Sequence, residues 1–124
     1  AAKHGIRQDI LLEVNIGREQ AKSGIDPDEL LNAIEILREK PSLHIRGLMA
    51  IPPVADEQTK NLRYFNEMHQ VFVDILTKKY DNVDMDYLSM GMTNDFVTAI
   101  ACGANMVRIG TAIFGARPYQ IVSP

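Results

Sequence analysis

The stretch ILLEVNIGREQAKSGIDPDELLNAIEILREKPSLHIRGLMAI, residues 10–51, decides the fold. It opens on Ile10-Leu11-Leu12-Glu13-Val14-Asn15-Ile16, an apolar run of strand length with polar punctuation after it. It closes on a second run, His44-Ile45-Arg46-Gly47-Leu48-Met49-Ala50-Ile51, which Pro52 stops. Between them, Asp26-Pro27-Asp28-Glu29 offers an N-cap, a proline at the first helical position and a capping-box glutamate. Leu30, Leu31, Ile34 and Leu37 then recur at helical spacing on one face, and Pro41 ends the helix. Such strand–helix–strand alternation means parallel strands joined by right-handed crossovers.

The same unit recurs downstream. A longer helix is expected from about Asp56 to Lys79, with Leu62, Phe65, Met68, Phe72, Ile75 and Leu76 as its apolar stripe. A weaker strand run follows at Met85-Asp86-Tyr87-Leu88-Ser89. A short helix spans about Asn94 to Cys102, with Gly103 where a left-handed C-cap belongs. The last strand run is Met106-Val107-Arg108-Ile109, followed by a turn through Gly110–Gly115. The order β-α-β-α-β-α-β makes a single α/β domain over residues 1–124, built of four βα units. Two architectures fit it: a small open sheet with helices on both faces, or half of an eight-stranded (β/α)8 barrel. A whole barrel takes about 250 residues, and this chain has 124. The opening AAKHGIRQD carries no Met and reads as the tail of a helix, so a piece of a longer protein is expected.

Composition narrows the function classes. With 46% hydrophobic and 23% charged residues, the chain is too apolar to be disordered. The net charge is −3, and the 13 Lys and Arg are scattered, which argues against nucleic acid and anionic membrane surfaces as partners. No apolar run approaches a membrane span, and no signal-peptide pattern opens the sequence. The lone Cys102 has no internal disulfide partner and belongs to no Cys/His cluster, so a reducing cytoplasm is expected and structural zinc is not.

In either architecture, chemistry belongs at the C-terminal ends of the strands. Ser89-Met90-Gly91-Met92-Thr93-Asn94-Asp95 brings two hydroxyls, a glycine and the start of a helix. It suits an anion, or Thr93 or Asn94 simply caps the helix. Arg108-Ile109-Gly110-Thr111 brings a permanent cation, a backbone open to close approach and a hydroxyl. Arg108 alternatively pairs with an acidic neighbour. Taken together, the two segments match the phosphate site that barrels build after their last strands. Lys22-Ser23-Gly24 is either a loop over a ligand or a plain turn. His4, His44 and His69 form no triad, Cys102 is a packing residue, and Met49, Met90, Met92 and Met106 read as core filler.

The runs Val14-Asn15-Ile16 with Lys22-Ser23-Gly24, Gly47-Leu48-Met49-Ala50-Ile51-Pro52, Leu88 to Asp95 and Met106 to Gly115 resemble the pyridoxal-phosphate homeostasis protein family. The resemblance implies a (β/α)8 barrel of the alanine-racemase N-terminal type that binds pyridoxal 5′-phosphate (PLP) as a carrier or regulator, without racemase activity. It implies that Ser89, Thr93, Gly110 and Thr111 hold the phosphate, or a sulfate in its place, and that Arg108 faces the pyridine nitrogen. It covers strands five to eight of such a barrel. The family's Schiff-base lysine lies on the first strand, and Lys3, Lys22, Lys40, Lys60, Lys78 and Lys79 do not match it. Binding in this chain is therefore expected to be non-covalent. A half barrel would expose strand edges at Ile10–Ile16 and Met106–Ile109 above an apolar inner face. The expected partner is a second copy or the missing N-terminal half. A structural fragment without a ligand is the alternative.

Overall fold

A computed structural model describes residues 1–54 and 58–118. Three strands form one parallel sheet in the order β1 (Gln8–Val14), β2 (Leu43–Ala50), β3 (Val83–Ser89). Helix α1 (Leu30–Arg38) joins β1 to β2, and α2 (Gln58–Lys78) joins β2 to β3. Two short helices follow, α3 (Phe96–Ala101) and α4 (Thr111–Phe114). Among the described residues, no helix is long and apolar enough to cross a membrane.

The alternation of strand side chains sets the layers. Leu12, Val14, Ile45, Leu48, Ala50 and Leu88 point to one face and are buried there against Leu30 and Ile34 of α1 and Phe65, Met68 and Ile75 of α2. Asp26 caps the first helical segment as its sequence predicts, its carboxylate accepting the Asp28 N–H at 2.9 Å. That first turn, Pro27–Glu29, is a 3-10 turn, and the α-helix proper starts at Leu30.

Three expected core leucines are corrected. Leu31, Leu62 and Leu76 are 43%, 44% and 50% exposed. Each follows a residue on the line Leu30–Ile34 or Asn61–Phe65–Met68–Phe72–Ile75, and one residue turns the side chain about 100° round the helix. The expected start of α2 at Asp56 lies outside the described residues. Met90 is fully buried as expected, whereas Met92 and Met106 are 46% and 37% exposed and fill no core. Cys102 is buried, and burial pushes its thiol above the ordinary range, which suits a packing residue.

The fourth strand is also corrected. Met106 makes one parallel bridge, to Ser89, and the pairing stops there. The Met90 N–H donates to the Met106 carbonyl at 3.1 Å, but the Arg108 N–H reaches the Gly91 carbonyl instead of continuing the ladder. Gly91, with φ of 96°, turns the backbone away, and the Asp95 carboxylate takes the Met92 N–H at 2.7 Å. The next rung therefore has no donor.

The opposite sheet face is not apolar as expected. His44 sits between Asp9 (Nδ1, 3.0 Å) and Asp84 (Nε2, 2.6 Å), and Arg46 bridges Asp9 and Asp86 at 2.8 Å each. Arg46 is accommodated by a register shift in both strand pairs, where Gly47 meets Tyr87. A Cβ on Gly47, whose φ is 154°, would lie 1.9 Å from the Tyr87 carbonyl oxygen.

Candidate functional site

At the C-terminal ends of the strands lies a cleft of about 690 Å³. Its walls are the loop after β2 (Ile51–Val54), the loop after β3 (Gly91–Asp95), Asn61 of α2, and Gly110, Thr111, Phe114, Gly115 and Arg117.

The β3 loop is built by short-range bonds. Gly91 packs so closely on α3 that a Cβ would lie 2.6 Å from the Ala99 Cβ, which leaves room for no other residue there. Asp95 then clamps Met92 from both sides. Its Oδ1 accepts the Met92 N–H at 2.7 Å, and its own N–H donates to the Met92 carbonyl at 3.2 Å. Asp95 stands at the N-cap of α3 but caps no helical N–H, so the expected caps, Thr93 or Asn94, do not serve there either. Thr93 rises at the crest of this loop, half-buried. Its Oγ1 accepts the Ala112 N–H at 3.3 Å, tying the β3 loop to the first turn of α4. Gly110 precedes that turn, and the place its Cβ would take is open space.

The structure thus brings Thr93, Gly110 and Thr111 to one cleft. Ser89 and Arg108 do not line it. Ser89 is 1% exposed, one step back on β3. Arg108 runs under the cleft: its Nη2 donates to the Ala50 carbonyl at 2.8 Å at the end of β2, and its Nε is buried without a partner. Burial pushes its guanidinium below the ordinary value, while the carboxylates of Glu13 and Asp95 favour its charge. Arg108 makes no ion pair within contact range among the described residues. Among the described residues, Arg108 is held on a backbone carbonyl and not by an acidic partner.

Lys22-Ser23-Gly24 is a turn folded onto β1, outside the cleft. Lys22 Nζ lies 2.8 Å from Glu19 Oε2, and Ser23 Oγ donates to Glu13 Oε1 at 3.0 Å. Among the described residues no lysine lines the cleft and no cluster of metal-ligating side chains occurs. The His44 and Arg46 network sits at the other end of the strands with its donors and acceptors already paired, which marks it as stabilising rather than binding.

The cleft presents two threonine hydroxyls and an open glycine backbone above a half-buried cation, donor chemistry of the kind a phosphate uses. Asn61 also lines the cleft, at a position that the sequence motifs do not include. Its signal was there, since a polar residue holds the position four before Phe65 on the buried line of α2.

A family model described as alanine racemase, N-terminal domain, matches residues 1–118. The chain is 46% identical over 111 residues to the pyridoxal phosphate homeostasis protein of Pasteurella multocida, covering 90% of this chain and 47% of that protein. It is 43% identical over 119 residues to the protein of the same name from Aquifex aeolicus, covering 96% and 51%. The chain therefore spans about half the length of these relatives. Among solved structures, an unknown protein from Bifidobacterium adolescentis superposes with a TM-score of 0.86 at 35% identity, over 91% of this chain and 45% of that one. PipY of Synechococcus elongatus, solved with PLP bound, superposes at 0.78 with 26% identity, over 92% and 52%.

Proposed function

The chain belongs to the alanine racemase N-terminal domain family, and on that premise we propose that it binds PLP through the phosphate, without a covalent bond and without turnover. One observation carries the reading. Thr93, Gly110 and Thr111, from two separate segments, line one cleft, and the Ala112–Thr93 hydrogen bond joins the two segments. The relatives named for PLP homeostasis, and the PLP-bound PipY, support the choice of ligand.

In this reading the Thr93 and Thr111 hydroxyls and the Gly110 backbone hold the phosphate, and Ser89 backs the loop that carries them. Arg108 lies beneath the cleft, and by the family resemblance it would face the pyridine nitrogen of a seated PLP. A guanidinium there disfavours protonation of that nitrogen, because two adjacent positive charges repel. PLP, when bound, supplies an aldehyde carbon and an electron-accepting ring; an unprotonated ring accepts electrons poorly. That suits carriage of the cofactor better than carbanion chemistry.

Equilibrium dialysis of PLP against the chain, followed by borohydride and intact mass, tests this. Saturable binding with no mass increment is expected, and pyridoxal lacking the phosphate should bind at least tenfold more weakly (roughly one charge-assisted hydrogen bond). Equal binding of the two would remove the phosphate from the account.

A second reading rests on the outer edges of β1 and β3, which are covered at their C-terminal ends by Ile25 and by Asn105 and Met106 and open before them, and on exposed Val97, Ile100, Ile113 and Phe114. In it, a half-barrel of four βα units pairs with a second copy or with the other half of a family barrel. A folded monomer whose mass does not change on dilution would contradict that pairing.

A further inference from the structure

Besides the Arg108 N–H to Gly91 carbonyl bond and the Ala112 N–H to Thr93 bond, the wall that presents Thr93 is held through Asp95. Within the loop, the Asp95 Oδ1 takes the Met92 N–H at 2.7 Å. The other carboxylate oxygen, Oδ2, accepts from Asn61 Nδ2 at 3.0 Å. Asn61 stands on α2, one turn before Phe65 and two before Met68, both fully buried in the core. The amide therefore comes from a fixed post. Its own Oδ1 is buried and has no partner among the described residues, and the bond to Asp95 orients the amide. Only the amide nitrogen can donate to a carboxylate, which fixes the amide's orientation chemically.

Asp95 also poses an electrostatic problem. It is a carboxylate on the wall of a cleft read here as an anion site, and a free carboxylate would repel the ligand. The nearby Arg108 guanidinium, whose charge Asp95 favours, offsets part of that repulsion, and with both oxygens engaged by protein donors the carboxylate braces the loop. We propose that Asn61 is a positioning residue of this cleft: through Asp95 it fixes the Met92–Asp95 loop, and with it the place of Thr93 opposite Gly110 and Thr111. The effect on ligand rests on the phosphate reading above; the effect on the loop does not.

The test compares four forms of the 124-residue chain: wild type, Asn61→Leu, Asn61→Asp, and the exchanged pair Asn61→Asp with Asp95→Asn. Amide hydrogen exchange at Met92 reads the loop. Equilibrium dialysis with PLP and with inorganic phosphate reads the site.

In Asn61→Leu, Met92 should exchange about tenfold faster while β1–β3 amides keep their rates, and both ligands should bind about tenfold more weakly. Asn61→Asp sets two carboxylates face to face. Relative to wild type at the same pH, its affinity should fall at neutral pH and recover in acid, where the pair shares a proton. The exchanged pair should regain affinity at neutral pH. The new amide at position 95 donates to the new carboxylate at 61 and still accepts the Met92 N–H.

Wild-type exchange and affinity in Asn61→Leu would overturn the proposal. So would an exchanged pair no better than Asn61→Asp alone. If wild type bound neither ligand, the phosphate reading would fail, and Met92 exchange would still decide whether Asn61 holds the loop.

Discussion

Replacing Thr93 by valine separates binding from folding. Valine keeps the β-branched shape and removes the hydroxyl. In the folded chain that hydroxyl accepts the Ala112 N–H at 3.3 Å, near solvent. A bond that long is weak, and its loss leaves an N–H that water can reach, so stability should drop by about 0.5 kcal/mol. For a domain of this size that is a fall in Tm of about 2 °C. The effect on ligand should be larger. A hydroxyl donating to a phosphate makes a charge-assisted bond worth about 1.5–3 kcal/mol, or roughly 10–150-fold in Kd. Thermal melting and equilibrium dialysis with PLP read the two effects on one preparation. Thr93→Ser, which keeps the hydroxyl, should stay within about threefold of wild type, well inside one hydrogen bond. An affinity within about twofold of wild type in Thr93→Val would refute the assignment, since no charged hydrogen bond is worth so little. A fall in Tm beyond about 10 °C would refute the weak-bond argument.

Arg108→Ala and Thr111→Ala should each weaken PLP or phosphate binding by about tenfold or more without unfolding the chain. For Arg108 the lost bond to the Ala50 carbonyl (2.8 Å) is offset by removal of a buried, unpartnered Nε, so a urea midpoint close to wild type is expected, and unchanged affinity in both variants would remove the site. Gly47→Ala should cost about 3 kcal/mol or more, because a Cβ would lie 1.9 Å from the Tyr87 carbonyl oxygen in a tightly paired sheet; a loss under about 1 kcal/mol in urea unfolding would contradict the register. Burial alone would raise the Asp9 carboxyl, but hydrogen bonds from His44 and Arg46 outweigh it and hold the group below its ordinary value. Its folded value thus lies below its unfolded one, so its stabilisation is present above about pH 4 and is lost as pH falls further; Asp9→Asn should flatten stability against pH in that acid range, and an unchanged slope would contradict the pairing.

What the sequence made legible follows from how local each signal is. The β1 and β2 runs were readable as apolar runs with their stops beside them, whereas Asp84 and Asp86 interrupt β3 and make it the weaker signal. The first helical segment was readable because Asp26 and Pro27 act within one turn, whereas the capping-box glutamate Glu29 makes no side-chain cap bond. Leu31, Leu62 and Leu76 misled because apolarity does not say which of two adjacent residues lies on the helix line. The fourth strand failed for a non-local reason. Its ladder ends where Gly91 turns and Asp95 captures the Met92 N–H, both outside the run itself. The register shift at Arg46 depends on a contact with Tyr87 that no window of sequence contains. At the site, Thr93, Gly110 and Thr111 were legible as hydroxyls and glycine just after strand runs. Their joining through Ala112, and the bond from Asn61 to Asp95 across 34 positions, were not.

The most direct test of the central claim is to titrate the isotopically labelled chain with PLP and map the amide shifts. Changes should saturate together at Thr93, Gly110, Thr111 and Ala112, with inorganic phosphate moving the same amides in competition. Shifts confined to the His44 and Arg46 end of the sheet, or none at PLP concentrations that saturate dialysis, would contradict a phosphate-binding cleft at the C-terminal ends of the strands.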